Sequence, residues 1–467
     1  MTVPPTDQGQ QPRTRQLDEP IIASLLVANR GEIARRVIRT ADRLGIRTIA
    51  VYSEADAELP FVREADEAVP IGPAAPAQSY RNIDAILTAA KQTGAAAIHP
   101  GYGFLSENAE FAQAVTAAGL LWVGPSPEAI TAMGDKISAR NRAAAAGVPV
   151  APGTTEPVLD VEAAVQQARA VGYPVMVKAS AGGGGMGMAV AQDEAGLRRE
   201  YERVRGFAER TFGDPAVLLE RFFPSVRHVE VQILGLNDGR VIALGERECS
   251  VQRRNQKLVE ECPSPASALT PERRAALHAA ACRVGEAVGY RNAGTVEFLL
   301  DPVTGEFYFL EMNTRLQVEH PVTEAVFGLD LVEQQLRIAA GLAPSVDTDT
   351  LRPSGHAIEL RINAEDPQRF LPGPGAITTW VEPTGEGVRV DAGYAAGTTV
   401  TPYYDSLMAK LIVHGATRAE AIERARAAVA GFAITGPKHN LPFHAELLEN
   451  DEFRLGVYDT GIVARMR

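Results

Sequence analysis

The stretch that most restricts how this chain can fold is a pair of strand-like runs, Ala293–Leu300 and Glu306–Asn313, separated by Asp301-Pro302-Val303-Thr304-Gly305. Both runs are rich in the branched and aromatic residues that suit strands, and the segment between them carries turn chemistry, so a hairpin is expected. Side chains alternate faces along a strand. An odd-numbered connecting loop therefore puts Glu297 and Glu311 on one face of the hairpin, and an even one separates them. Facing carboxylates among Phe and Leu repel each other and lose hydration, which makes sense chiefly if a hard cation lies between them. Mg²⁺ holding the phosphates of a nucleotide is the usual solution. Taken alone, two strand glutamates are more often simply solvated.

Beyond the hairpin, Arg315-Leu316-Gln317-Val318-Glu319 places polar residues at i, i+2 and i+4. A third extended piece is expected here, with Arg315, Gln317 and Glu319 pointing one way and Leu316 and Val318 the other. A guanidinium, a carboxamide and a carboxylate on one face can hold a small oxyanion and also take a proton from it. Bicarbonate fits those three groups. A half-exposed strand with an Arg/Glu pair is the blander alternative.

The longer run from Glu311 through Glu319-His320-Pro321-Val322-Thr323 to Glu324 resembles the signature of biotin carboxylases, which belong to the ATP-grasp superfamily. The resemblance extends from about Ser24 to the C-terminal helix. It implies a three-domain α/β ATP-grasp fold with a doubly wound N-terminal domain, a mobile α+β lid and a β-rich C-terminal domain. The expected divisions are 1–23 as a disordered extension, 24–133 as the doubly wound domain and 134–153 as linker helices. The lid with its glycine flap then occupies 154–223, and 224–467 forms the ATP-grasp body and C-terminal domain.

Size and composition agree with a chain of this kind. At 467 residues it is long enough for roughly two to four domains with sizeable cores. No apolar run approaches the roughly 18 residues that span a bilayer, so no membrane association is expected. A formal charge of −12 argues against a nucleic-acid surface. Cys249, Cys262 and Cys282 show no zinc-like spacing and read as reduced thiols of a cytoplasmic protein. Met1 to about Pro20 carries no charged-then-apolar signal pattern and reads as a disordered extension.

From the N-terminus, the strand run Ile22–Ala28, a helical pattern through Gly45 and a second strand at Thr48–Tyr52 form a parallel βαβ unit. A helix near Asn82–Lys91 and strands at Ala95–Ile98 and Leu121–Val123 continue it. No GxGxxG follows the first strand, which excludes a dinucleotide site. Further on, Tyr173–Lys178 and Met188–Val190 are strands joined by Ala179–Gly187, a run rich in glycine. A P-loop opens a helix, whereas this loop joins strand to strand and reads as a flap whose backbone N–H groups close over phosphates.

Residue by residue, the resemblance implies that Lys136, Lys178 and the flap residues Gly183, Gly184 and Gly185 clamp ATP. Met188, Glu220, Phe223, His228, Gln252 and Asn255 complete the nucleotide site. Glu297, Glu311 and Asn313 hold Mg²⁺ or Mn²⁺. Arg315, Gln317, the backbone at Val318, and Lys257 bind bicarbonate, Glu319 is the base, and Arg361 lies beside biotin. Arg315 and Lys257 share in the catalysis. Two positions depart from the family. Met186 stands where a basic residue is frequent, and Asn255 replaces a histidine, which puts one phosphate contact and one ribose contact in question. No Ala-Met-Lys-Met stretch is present, so the biotin is expected on a separate carrier protein. A carboxyltransferase subunit and a homodimer are implied as well. The acceptor is expected to be acetyl-CoA or another acyl-CoA. The alternatives are a different ATP-grasp ligase acting through an acyl-phosphate and a non-catalytic nucleotide-binding regulator.

Overall fold

The computed structural model describes residues 20–180 and 187–467. The N-terminal extension before Pro20 and the flap residues Gly183, Gly184, Gly185 and Met186 lie outside the described residues. Among the described residues, no helix is long and apolar enough to cross a membrane.

The first sheet has five parallel strands in the order Glu67–Pro70, Arg47–Tyr52, Ser24–Val27, Ala97–His99, Leu121–Trp122. The first strand in sequence lies at its centre, and the order reverses there. This is the doubly wound arrangement that strand-helix-strand spacing requires. The edge strand Glu67–Pro70 has no clear apolar run, and sequence patterning does not reveal it.

A small antiparallel sheet follows, with Val175–Ala179 between Met188–Ala191 and Val217–Arg221. The helices Val161–Val171 and Glu194–Phe212 pack on it through Ala164, Val165, Leu197, Tyr201 and Val204.

The remainder is built on an eight-stranded sheet whose ends are Phe307–Asn313 and Val388–Ala392, with Asn292–Leu300 next to the first and Leu407–Gly415 next to the second. His356–Asn363 pairs with Gln256–Cys262 on one side and Leu407–Gly415 on the other. Its neighbours bring Glu260, Arg361 and Lys410 close together although they lie far apart in sequence. One apolar core joins the helix Gly31–Arg43 of the N-terminal unit to this sheet, with Ile33, Val37, Leu360, Met408 and Leu411 in the same cluster.

The same junction carries a buried ionic network. Arg36 reaches Glu324 at 2.6 Å and Asp330 at 2.7 Å, while Arg389 reaches Glu324 at 2.8 Å and Asp391 at 2.7 Å. Burial opposes charge on Asp391, but Arg389 and Lys410 outweigh it and hold the carboxyl down at about 2. A depressed carboxyl contributes stability that is complete above its unfolded value near 4 and is lost as pH falls through the folded value. Asp391→Asn is therefore expected to cost about 2 kcal/mol at neutral pH. In urea unfolding followed from pH 7 downward, the gap between wild type and variant should close between about pH 4 and pH 2.

Candidate active site

The hairpin forms as its sequence predicts, but the route to its facing glutamates differs. The strands end at Leu300 and resume at Phe307, so the connecting segment Asp301–Glu306 is even, and a regular ladder would separate the two carboxylates. Phe298 pairs with Phe309 and Glu297 pairs with Glu311, which leaves Leu310 as the extra residue of a β-bulge. The bulge moves the ladder by one. Before it, Phe307 and Phe309 pack with the apolar cluster that holds Phe298 and Leu300; after it, Glu311 comes directly opposite Glu297.

The expected third extended piece is not a strand. Thr314–Glu319 forms bends and a turn that lead into the helix His320–Phe327. Pro321 in that helix's first turn favours a helix start here, and fully buried Leu316 plugs the core. The polar side chains still converge. Arg315 donates to Gln317 Oε1 at 2.9 Å and to Asn313 Oδ1 at 3.0 Å, and Gln317 donates to Glu297 Oε1 at 3.2 Å.

Around them lies a cleft of about 1350 Å³ between the three sheets. At one end are Lys136, Lys178, Met188, Glu220, Phe223, His228, Gln252 and Asn255. Lys136 opens the helix Lys136–Ala145, and burial lowers its pKa. Lys178 forms an ion pair with Glu220 across neighbouring strands and faces Met188 across the flap hairpin. Burial opposes charge on Glu220, but Lys178, Arg140 and Lys136 hold its carboxyl below the ordinary range. Phe223 stacks on Tyr308 with ring centroids 5.0 Å apart, giving this end an aromatic wall. Asn255 and Arg254 form the tip of a tight hairpin, both with positive φ, a conformation Asn tolerates better than most residues. That geometry is a backbone reason for asparagine at this position.

At the other end, Lys257 and Arg361 bracket Glu319. Lys257 Nζ lies 2.6 Å from Glu319 Oε1 and 3.1 Å from Glu297, and it also pairs with Glu230. Arg361 donates to Glu319 Oε2 at 2.9 Å and to Glu260 at 2.6 Å. Arg361 does not pair with Glu365, which accepts instead from Ser406. Burial opposes charge on Glu319, yet Lys257, Arg361 and Arg247 hold its carboxyl well below the usual range. Lys257 is raised despite its burial by Cys249, Glu230, Glu297 and Glu319 around it. His228 Nε2 lies 2.7 Å from Glu297 Oε2, so the histidine expected in the nucleotide site rests against the candidate metal carboxylate.

Glu297 and Glu311 differ sharply. Burial opposes charge on Glu297, but Lys257 and His228 hold it far below the ordinary range. Burial and the charge of Glu297 push Glu311 up, and among the described residues no hydrogen-bond donor satisfies it. A carboxylate facing another carboxylate with no donor of its own suits a hard divalent cation, with Asn313 as a neutral oxygen beside it.

Sequence reasoning missed three neighbours. Glu230 braces Lys257, Glu260 holds Arg361, and Glu107 pairs with Arg315 at 2.9 Å. Glu107 sits in the loop that follows the strand Ala97–His99, and Glu230 alternates with His228 along its strand. Glu260 reaches Arg361 only through the pairing of two distant strands.

Comparison with known proteins agrees with this fold. Residues 21–130 match the biotin carboxylase N-terminal domain, 135–345 the ATP-binding domain of the carbamoyl-phosphate synthase L chain, and 359–465 the biotin carboxylase C-terminal domain. Biotin carboxylase 2 of Bacillus subtilis (strain 168) is 49% identical over 93% of this chain and 98% of its own length. The structure is similar to biotin carboxylase from Campylobacter jejuni in a beta-gamma-ATP complex, with a TM-score of 0.92 and 44% identity over 95% of this chain and 99% of that one. It is also similar to the biotin carboxylase domain dimer of Hydrogenobacter thermophilus 2-oxoglutarate carboxylase, solved with MgADP, ADP and bicarbonate. There the TM-score is 0.90 and the identity 44%, over 95% of this chain and 97% of that one.

Proposed function

The chain belongs to the biotin carboxylase family, and on that premise we propose that it carboxylates biotin on a separate carrier protein, using ATP and bicarbonate. The observation that carries the proposal is the seat of Glu319: one ionised carboxylate touches both Lys257 and Arg361 in the cleft that also holds Lys136 and Lys178.

ATP binds with its phosphates toward Lys136 and Lys178 and its base toward Phe223 and the strand ending at Arg221. Glu297, Glu311 and Asn313 are the residues that would hold Mg²⁺ or Mn²⁺, which supplies charge neutralisation at the phosphates when bound. Bicarbonate occupies the turn lined by Arg315, Gln317, the Val318 backbone and Lys257. Its entry gives Lys257 a further anion to satisfy besides Glu230, Glu297 and Glu319, which loosens the lysine's hold on Glu319 and makes that carboxylate a better base. Glu319 takes the bicarbonate proton, and the freed oxygen attacks the γ-phosphorus, releasing ADP and forming carboxyphosphate. Carboxyphosphate breaks down to CO₂ and phosphate. The phosphate accepts the N1 proton of biotin, Arg361 steadies the enolate oxygen, and N1 attacks CO₂ to give carboxybiotin.

A carrier protein presents the biotin, and a carboxyltransferase subunit passes the carboxyl group on. The acceptor we assign is an acyl-CoA, acetyl-CoA first, as the opening half-reaction of an acyl-CoA carboxylase. The similar 2-oxoglutarate carboxylase domain is a dimer, which supports a homodimer here. Free Cys249, Cys262 and Cys282 support a cytoplasmic setting.

The test is phosphate release from ATP with bicarbonate, with and without free biotin. Stimulation by biotin with carboxybiotin as product, abolished by chelating divalent cations, is the expected result. Release that needs bicarbonate but ignores biotin would transfer the chain to another class of ATP-grasp ligase. Acceptor choice is read by adding the co-purified carboxyltransferase and comparing acetyl-CoA, propionyl-CoA, pyruvate and 2-oxoglutarate.

A further inference from the structure

The turn Gln317–Glu319 is held from behind by two fully buried side chains. His320 Nδ1 lies 2.7 Å from the Gln317 carbonyl oxygen. Burial, reinforced by Lys410, Arg36 and Arg389, keeps its pKa well below the ordinary histidine value, so the ring is neutral and its Nδ1–H donates to that carbonyl. Lys410 donates to the Val318 carbonyl at 2.8 Å, from a strand 92 residues further along the chain. Its ammonium is completely buried and lies 3.2 Å from Glu32 Oε2, in the first turn of the helix Gly31–Arg43. Both oxygens of Glu32 lack any other hydrogen-bond partner among the described residues. Asp391 is the cross-strand neighbour of Lys410, and its own guanidinium partner is Arg389.

Burying an ammonium is costly, and a lysine kept only for packing is readily replaced by an apolar chain of similar length. Lys410 has a more specific use. The peptide unit is rigid, so fixing the Val318 carbonyl also fixes the Glu319 N–H and the direction in which the Glu319 side chain leaves the backbone. Along the chain, the Val318 N–H that would meet bicarbonate comes just before this peptide unit and the Glu319 side chain just after it.

We propose that Lys410, anchored by Glu32, is a positioning residue for bicarbonate: it locks the peptide plane between Val318 and Glu319 so that anion and base meet in register. This rests on the bicarbonate assignment above. It also makes the helix Gly31–Arg43 a structural support of the anion site, through a side chain that contacts no substrate.

The experiment measures bicarbonate-dependent phosphate release by the full chain at pH 8, varying bicarbonate and ATP separately, for wild type and Lys410→Met. The expected result is a bicarbonate KM raised about 10- to 100-fold, the scale of a small misplacement of reacting groups, with the ATP KM changed less than about 2-fold. Should Lys410→Met fail to fold, Glu32→Gln gives the same reading, because burial pushes Glu32 up only to about 7 and it is ionised at pH 8. Its effect should be smaller and equally confined to bicarbonate. An unchanged bicarbonate KM, or KM values for ATP and bicarbonate that rise together, overturns the positioning role while leaving the carboxylase assignment intact. Wild-type release that ignores bicarbonate overturns both.

Discussion

Glu319→Gln is expected to lower bicarbonate-dependent phosphate release by about 10²- to 10⁴-fold, the contribution of a positioned general base. Glutamine keeps the size of the side chain and one oxygen, so packing in this fully buried position changes little. What it loses is the negative charge that Lys257 and Arg361 both approach. ATP affinity should therefore stay within about 3-fold, because Lys136, Lys178 and the aromatic wall are untouched. Steady-state phosphate release together with equilibrium ATP binding checks both halves. Near-wild-type turnover in this variant would remove Glu319 from the mechanism.

Arg361→Met should act on a different step. If the guanidinium serves the biotin enolate, carboxybiotin formation falls about 10²- to 10³-fold, while phosphate release without biotin falls much less. The ratio of carboxybiotin to phosphate is the discriminating quantity. Methionine leaves Glu260 and Glu319 without one shared cation, and both are completely buried. Glu260 is already pushed up to about 7 by burial, with Arg361 drawing it back, so the variant should leave Glu260 protonated at neutral pH. Some loss of thermal stability is expected with it. Equal loss of phosphate release and carboxybiotin would instead make Arg361 a support for Glu319.

Much of this site was legible because its chemistry is concentrated in local runs. The hairpin, the candidate metal glutamates and the polar residues from Arg315 to Glu319 lie within a few turns of chain, where alternation and turn residues carry information. The errors came where local pattern competed with packing. Alternation predicted a strand for Arg315–Glu319, but Leu316 enters the core and the helix begins at His320, so the segment turns. The polar groups meet there through hydrogen bonds rather than through a pleat. Glu260 and Lys410 were illegible for another reason. Their partners, Arg361 and the Val318 carbonyl, lie 101 and 92 residues away in sequence, and strand order alone brings them together. A contact to a backbone carbonyl, as at Val318, leaves no mark on residue type.

The unpaired Leu310 sets a rule about pairing. Phe307, Phe309, Glu311 and Asn313 are all separated by two, so an unbroken strand would send aromatic rings and polar groups to the same side. One supernumerary residue divides them, two toward oil and two toward water and ions. Substituting Leu310 leaves that division in place, and so does deleting it, because the shortened strand pairs regularly and still sets Glu311 opposite Glu297. What the extra residue must not do is pair: a Leu310 drawn into the ladder opposite Glu297 would set Glu311 opposite Val296 and turn it toward the apolar layer.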